Sequence, residues 1–124
     1  MTFAVRLDAA DPTPPYEQLR RQIADAIGSG VLRAGTQLPT VRQLARDLGI
    51  ATGTVMRTYT ELDTAGLIRS ARGAGTTVAE VPKLSQDEQR ERLDALATTF
   101  VSNARLLGVA DTEIAAALTR QLAK

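Results

Sequence analysis

The residues best placed to act on another molecule are six arginines. Arg33, Arg42, Arg46, Arg57, Arg69 and Arg72 share the stretch from 33 to 73 with only three acids, Asp47, Glu61 and Asp63. A guanidinium is a planar fork of N–H donors that suits phosphate oxygens and guanine edges. Clustered arginine is therefore chemistry for nucleic acid before it is chemistry for catalysis. The catalytic alternatives are thin. The chain has no cysteine and no histidine, which excludes disulfides and thiolate metal sites and removes the commonest general base and metal ligand. No carboxylate pair with acid–base spacing and no glycine-rich phosphate loop is visible, so neither an enzyme nor a cofactor or metal site is expected. The charge excess is modest. Net charge is +1, and the tail from Val81 to Lys124 is balanced, with six basic and six acidic residues. A solvated surface explains the arginines about as well as a phosphate-binding face does.

Elements must hold these arginines in place, and 124 residues with 44% hydrophobic content suffice for one or two small domains. Phe3, Val5 and Leu7 alternate with small or polar residues, a weak strand signal. Asp11-Pro12-Thr13-Pro14-Pro15 breaks that pattern and launches a helix that Thr13 is placed to cap. Tyr16, Leu19, Ile23 and Ile27 give this first helix its apolar face, and Gly28-Ser29-Gly30 ends it. After a turn at Ala34-Gly35, a second helix begins at Pro39-Thr40. Thr40 with Gln43 reads as a capping box, Val41, Leu44, Ala45 and Leu48 form the inner face, and Gly49 suits the left-handed closing position. A third helix runs from Ala51 or Thr52 to Ala65, with Val55, Tyr59 and Leu62 inward and Gly66 at its end. Leu67-Ile68-Arg69 and Thr76-Thr77-Val78, joined by Arg72-Gly73-Ala74-Gly75, read as a β-ribbon.

Two short helices joined by Gly49-Ile50, with a helix before and a ribbon after, give the order of a winged helix-turn-helix. The second helix of such a motif projects its N-terminal residues into a major groove roughly 12 Å wide. With Val55 as the buried reference and steps of about 100° per residue, Gly53, Thr54, Met56, Arg57 and Thr60 turn away from the core. That face is small and polar and carries one arginine, so it suits close approach to base edges. Ordinary surface of a three-helix domain is the other reading, and periodicity leaves both open. Arg46 is open in the same way between phosphate contact and solvation. Arg69, beside the ribbon, leans to phosphate. Tyr59 reads as core rather than as a base-stacking residue, and Arg20 and Arg21 as surface.

Val81-Pro82-Lys83 reads as a linker, which places domain boundaries at 1–80 and 81–124. Ser85-Gln86-Asp87-Glu88 is a capping start for a long helix whose apolar stripe is Leu93, Leu96, Ala97, Phe100, Val101, Ala104 and Leu107, ending at Gly108. Asp111-Thr112-Glu113 opens a last helix with Ile114, Leu118 and Leu122 on one face. Two helices rarely bury both faces of such a stripe, and a site of two DNA half-sites needs a dimer. Leu93, Leu96, Phe100, Ala104, Leu107, Ile114, Leu118 and Leu122 are therefore the expected dimerisation residues. Packing on the chain's own domain is the alternative. A pocket at the interface of two copies leaves room for an unidentified small-molecule effector. The fold class is mainly α with a small β-ribbon: an N-terminal winged helix-turn-helix and a C-terminal two-helix dimerisation segment. No run of about 18 apolar residues suggests a membrane span, and Met1-Thr2-Phe3-Ala4 lacks the start of a signal peptide, so a cytoplasmic protein is expected.

One resemblance sharpens this. Pro15-Tyr16-Glu17-Gln18-Leu19, Ile27-Gly28-Ser29-Gly30-Val31-Leu32, Gly35 and Leu38-Pro39-Thr40-Val41-Arg42-Gln43-Leu44-Ala45 closely resemble the GntR family of bacterial regulators. So do Gly53-Thr54-Val55, Tyr59-Thr60-Glu61-Leu62, Ala65-Gly66-Leu67-Ile68 and Arg72-Gly73-Ala74-Gly75-Thr76. The match covers about residues 12 to 79 and is specific as an ordered set. The short two-helix tail is similar to the YtrA subfamily.

The resemblance implies that Arg42, the arginine of Leu-Pro-x-x-Arg, contacts DNA. It also implies that Ala51, Thr52, Gly53, Thr54 and Met56 read bases and that the wing tip, Arg72 and Gly73, enters the minor groove. With Thr40, Arg57 and Arg69 these make up the expected DNA-binding set. Departures matter too. Ala51-Thr52-Gly53 stands where many members have a Ser or Thr cap followed by arginine, which suggests Thr52 as the cap. Met56 occupies a common arginine position, with Arg57 one residue later. The implied function is a homodimeric transcription regulator, a repressor, on an inverted-repeat operator of double-stranded DNA. The alternative is a protein-interaction module of winged-helix shape that does not read DNA.

Overall fold

The structure is a computed structural model that describes residues 5–71, 73 and 75–124. The chain divides into two units, residues 1–83 and 84–124, each described by itself.

In the first unit, helix α1 (Pro15–Ser29) begins with proline at its first position, where the ring costs no helical hydrogen bond. Thr13 does not cap it. The N-cap is Pro14, without a side-chain bond. The Thr13 amide instead donates to Asp11 Oδ1 (2.8 Å), and the Thr13 carbonyl accepts from Gln18 Nε2 (2.8 Å). The expected N-terminal strand is absent from residues 5–8, and Phe3 lies outside the described residues. Two glutamines of α1 replace the strand partner. The Arg6 amide donates to Gln22 Oε1 (3.0 Å) while Gln22 Nε2 donates to the Arg6 carbonyl (2.7 Å). Gln18 makes the same pair with Asp8, at 2.8 and 3.0 Å. Val5 and Leu7 still pack against the core, so their alternation reflects burial without sheet pairing.

A two-residue strand β1 (Gln37–Leu38) leads into α2 (Val41–Leu48), and α3 (Thr52–Thr64) follows. Thr40 Oγ1 accepts from the Gln43 amide (3.1 Å), which is one half of the expected capping box. Gly49 closes α2 at φ 67°, in the left-handed region where a side chain would be strained. Strands β2 (Ile68–Ala71) and β3 (Gly75–Val78) form the expected hairpin, with Ile68 opposite Val78 and Ala71 opposite Gly75. The sheet has a third strand that patterning missed. β1 pairs antiparallel with β3, in the order β1-β3-β2. Leu19, Ile23, Val55, Leu62 and Ile68 are sealed from solvent at the centre of the core. Each such side chain contributes roughly 1.5–3 kcal/mol of burial. Among the described residues no helix is long and apolar enough to cross a membrane.

The second unit is a helical hairpin, α4 (Gln86–Arg105) and α5 (Asp111–Leu122). A full capping box starts α4. Glu88 donates its amide to Ser85 Oγ, and the Ser85 amide donates to Glu88 Oε1, both at 3.1 Å. The corner is clasped by Arg105, whose Nε and Nη2 donate to the two carboxylate oxygens of Asp111 at 3.2 and 3.1 Å. That bond pair holds the Asp111 carboxyl below its usual pKa. Leu107 lies past the end of α4, in the turn.

Candidate nucleic-acid interface

Helix α3 is set in place by its inner face. Val55, Thr58, Tyr59 and Leu62 are buried. Thr58 was not foreseen, because a threonine on a helical stripe reads as surface. Its hydroxyl donates to the Tyr16 carbonyl at 2.7 Å, which satisfies a buried polar group and ties α3 to the start of α1. Tyr59 is core, as expected. Its hydroxyl donates to the Pro39 carbonyl at 2.8 Å, and burial pushes its pKa up to about 12. Together these two bonds fix α3 against α1 and against the segment that introduces α2.

The opposite face of α3 is open. Thr52, Gly53, Met56 and Thr60 are exposed and Thr54 is half-buried. Thr52 is not the cap. Ala51 holds that position with no side-chain bond, and Thr52 is the first helical residue. Arg57 is exposed, but its guanidinium lies over the Tyr16 ring, 3.7 Å from the centroid, and its Nε is 4.0 Å from Glu61 Oε1. The stack holds α3's one arginine towards α1, a restraint that periodicity within a single helix cannot reveal, while the ion pair runs along α3 itself.

The other cations differ in how they are engaged. Arg20 and Arg21 both pair with Glu17, at 2.6 and 3.2 Å, and the Arg20 hydrogen bond is the main reason the Glu17 carboxyl sits below its usual pKa. They form a small surface ion-pair network on α1. Arg42, in the first turn of α2, and Arg69, on β2, are exposed and have no carboxylate partner among the described residues. Arg46, in the last turn of α2, is likewise exposed. Thr40 is exposed at the N-cap of α2.

The hairpin tip extends the same unit. Gly73 is exposed with φ 80°, whereas Arg72 lies outside the described residues. Gly75 is held at φ 75°, in the left-handed region that favours glycine, and a Cβ there would meet only the end of the exposed Gln37 side chain. Backbone pairing seats β1 beside the ribbon, with Gln37 opposite Thr77 and Leu38 opposite Thr76. Arg69 stands opposite Thr77, and the Ser70 and Thr76 hydroxyls share a hydrogen bond of 3.3 Å.

In the second unit, Leu93, Leu96, Phe100, Leu107, Leu118 and Leu122 are exposed, Ala104 is half-buried, and Ile114 is buried. Ile114 is therefore a floor for the others rather than a free contact. No residue of α4 is buried. An apolar groove of about 460 Å³ runs between α4 and α5, lined by Leu93, Phe100, Val101, Ile114 and Leu118 among others, with Arg105 and Asp111 also in its lining.

Comparison with known proteins agrees with this geometry. The family described as bacterial regulatory proteins, gntR family, matches residues 15–78. The HTH-type transcriptional regulator Rv1152 of Mycobacterium tuberculosis is 36% identical over 93% of this chain and 91% of its own length. The HTH-type transcriptional repressor YtrA of Bacillus subtilis is 35% identical over 64% of this chain and 61% of its own. Among solved structures, a GntR family transcriptional regulator from Listeria monocytogenes superposes with a TM-score of 0.58 at 29% identity, covering 92% of this chain and 98% of that one. The DNA-binding domain of AraR, solved in complex with operator ORE1, gives 0.51 at 28% identity over 63% of this chain and 95% of that one.

Proposed function

This chain belongs to the gntR family of bacterial regulatory proteins, and on that premise we propose that it represses transcription in the cytoplasm as a homodimer on an inverted-repeat operator. Its family is one of transcription regulators with a DNA-binding winged helix, not of enzymes. One observation carries the reading. The N-terminal turns of α3 present an open, uncharged face, and the exposed cations Arg42 and Arg69, on the adjoining α2 and β2, are not neutralised by carboxylates among the described residues. An uncharged reading face with cations on adjoining elements is the division of labour that duplex binding asks for. Phosphate contacts set register, and the helix in the major groove sets sequence. The DNA-binding domain of AraR, which superposes on this fold, was solved in complex with operator ORE1, which supports duplex DNA as the partner; in that reading α3 enters the major groove and the Gly73 tip approaches the minor groove.

The dimer reading rests on the second unit. Twenty residues of α4 contribute no buried side chain, and Leu93 and Leu96 are 64% and 65% exposed. Apolar surface of that density is covered by a partner in a stable protein. A partner helix and a small-molecule effector would compete for the groove between α4 and α5. The exposed leucines on its rims favour the partner.

Footprinting on the DNA upstream of the chain's own gene, at two salt concentrations, tests the proposal. The expected result is a protected site with two-fold symmetry whose affinity falls steeply with salt, because bound arginines release counterions. Binding indistinguishable from that to random duplex would end the regulator reading.

A further inference from the structure

We propose that α3 reads thymine methyl groups and that Met56 sets this preference, an inference that rests on the regulator reading above. Thr52, Met56 and Thr60 follow one another at four-residue spacing along α3 and are exposed, with Gly53 beside them. None carries a charge or an amide. Bidentate recognition of guanine uses arginine or lysine, and that of adenine uses asparagine or glutamine, so this stripe has no bidentate partner for either purine.

The one cation of α3 does not fill the gap. Arg57 is stacked on Tyr16 of α1 and faces Glu61 one turn further along α3, and the stack draws it off the stripe towards α1. Met56 remains as the largest group on the open face, 57% exposed. One turn earlier, a Cβ on Gly53 would meet no atom within 4 Å, so a duplex can approach the helix closely there. In the major groove the C5-methyl of thymine is the apolar feature that distinguishes one base pair from the rest. A methionine is flexible and polarisable enough to pack on that methyl without a fixed geometry, and the threonine methyls of the stripe add to the same surface.

The test begins by selecting a preferred sequence from random duplexes with the full-length protein. Each thymine of the selected duplex is then replaced singly by deoxyuridine, which removes the methyl and nothing else. The expected result is a thymine whose replacement weakens wild-type binding about fourfold, the effect of exposing one methyl-sized group. Met56→Ala should bind the thymine and uracil duplexes equally, and Met56→Gln should shift the preference at that base pair towards adenine. Thermal unfolding of both variants near the wild-type midpoint shows that the fold is retained. A selected sequence whose thymines all tolerate uracil, or a thymine dependence that persists in Met56→Ala, overturns the proposal and leaves the regulator reading standing. Failure to select any sequence over random duplex overturns both.

Discussion

The hydroxyl of Tyr59, in the middle of α3, donates to the backbone carbonyl of Pro39, just before α2, at 2.8 Å. The helix expected to read bases is thereby fastened to the residues that introduce Thr40 and Arg42. Tyr59→Phe keeps the ring and removes the bond, leaving the Pro39 carbonyl without this donor. Urea unfolding should show a loss of about 0.5–1.5 kcal/mol. The same residue shapes the alkaline limit of stability. The fold holds the neutral phenol, with its pKa raised from 10.0 to about 12 by burial. Above pH 10 the unfolded chain gives up this proton before the folded chain does. The contribution is therefore whole below about pH 10 and declines as the pH rises towards 12. Tyr59→Phe should lack that share of the decline, and an unchanged alkaline unfolding curve would contradict the assignment.

The stack of Arg57 on Tyr16 predicts a measurable coupling between α3 and α1. In a double-mutant cycle of Tyr16→Leu and Arg57→Ala, chemical unfolding should yield an interaction energy of about 0.5–1 kcal/mol, the range for an exposed cation–π pair. Additive single effects would mean that the two side chains do not hold each other.

Arg42 is exposed in the first turn of α2 and has no carboxylate partner among the described residues. Arg42→Ala should therefore leave the thermal midpoint unchanged and weaken operator binding by roughly 1–3 kcal/mol if it contacts a base. A uniform loss across sequences, with a shallower salt dependence, would place it on phosphate instead. Unaltered affinity would remove it from the interface.

Phe100 is 40% exposed on α4, in the lining of the groove that faces α5. Phe100→Asp puts a charge into the proposed dimer contact. Sedimentation should report monomers, and operator binding should fall with the loss of the second half-site. A variant that remains dimeric would show that the interface lies elsewhere.

Helix order was legible in the sequence because each helix carries its own punctuation: proline at the start of α1, Thr40 before α2, Gly49 after it, and the Ser85–Glu88 box before α4. The wing hairpin was legible for the same reason. What escaped depends on partners far along the chain. Strand β1 is two residues long and exists only because β3 lies beside it. The N-terminal segment alternates like a strand, yet the side chains of Gln18 and Gln22 satisfy its backbone. Thr58 looks like surface until its bond to the Tyr16 carbonyl is seen.

The candidate site divides in the same way. That Gly53 and Met56 lie on an open face follows from their distance around the helix from Val55. That Arg57 is turned aside does not, because Tyr16 is 41 positions away in the numbering and meets it only when α1 packs on α3. Ala51 at the α3 N-cap is a local matter, but the threonine beside it was the more plausible cap by residue type.

The bare flank of α4 has a consequence for the cell that carries this protein. If its leucines are covered only by a second copy, dilution acts on the tail as a denaturant does, because stability that depends on association depends on concentration. Growth that outpaces synthesis would then strip the tail of its partner before it affected the winged helix, whose core is complete within one chain. The amount of protein per cell would act as a timer on its own grip.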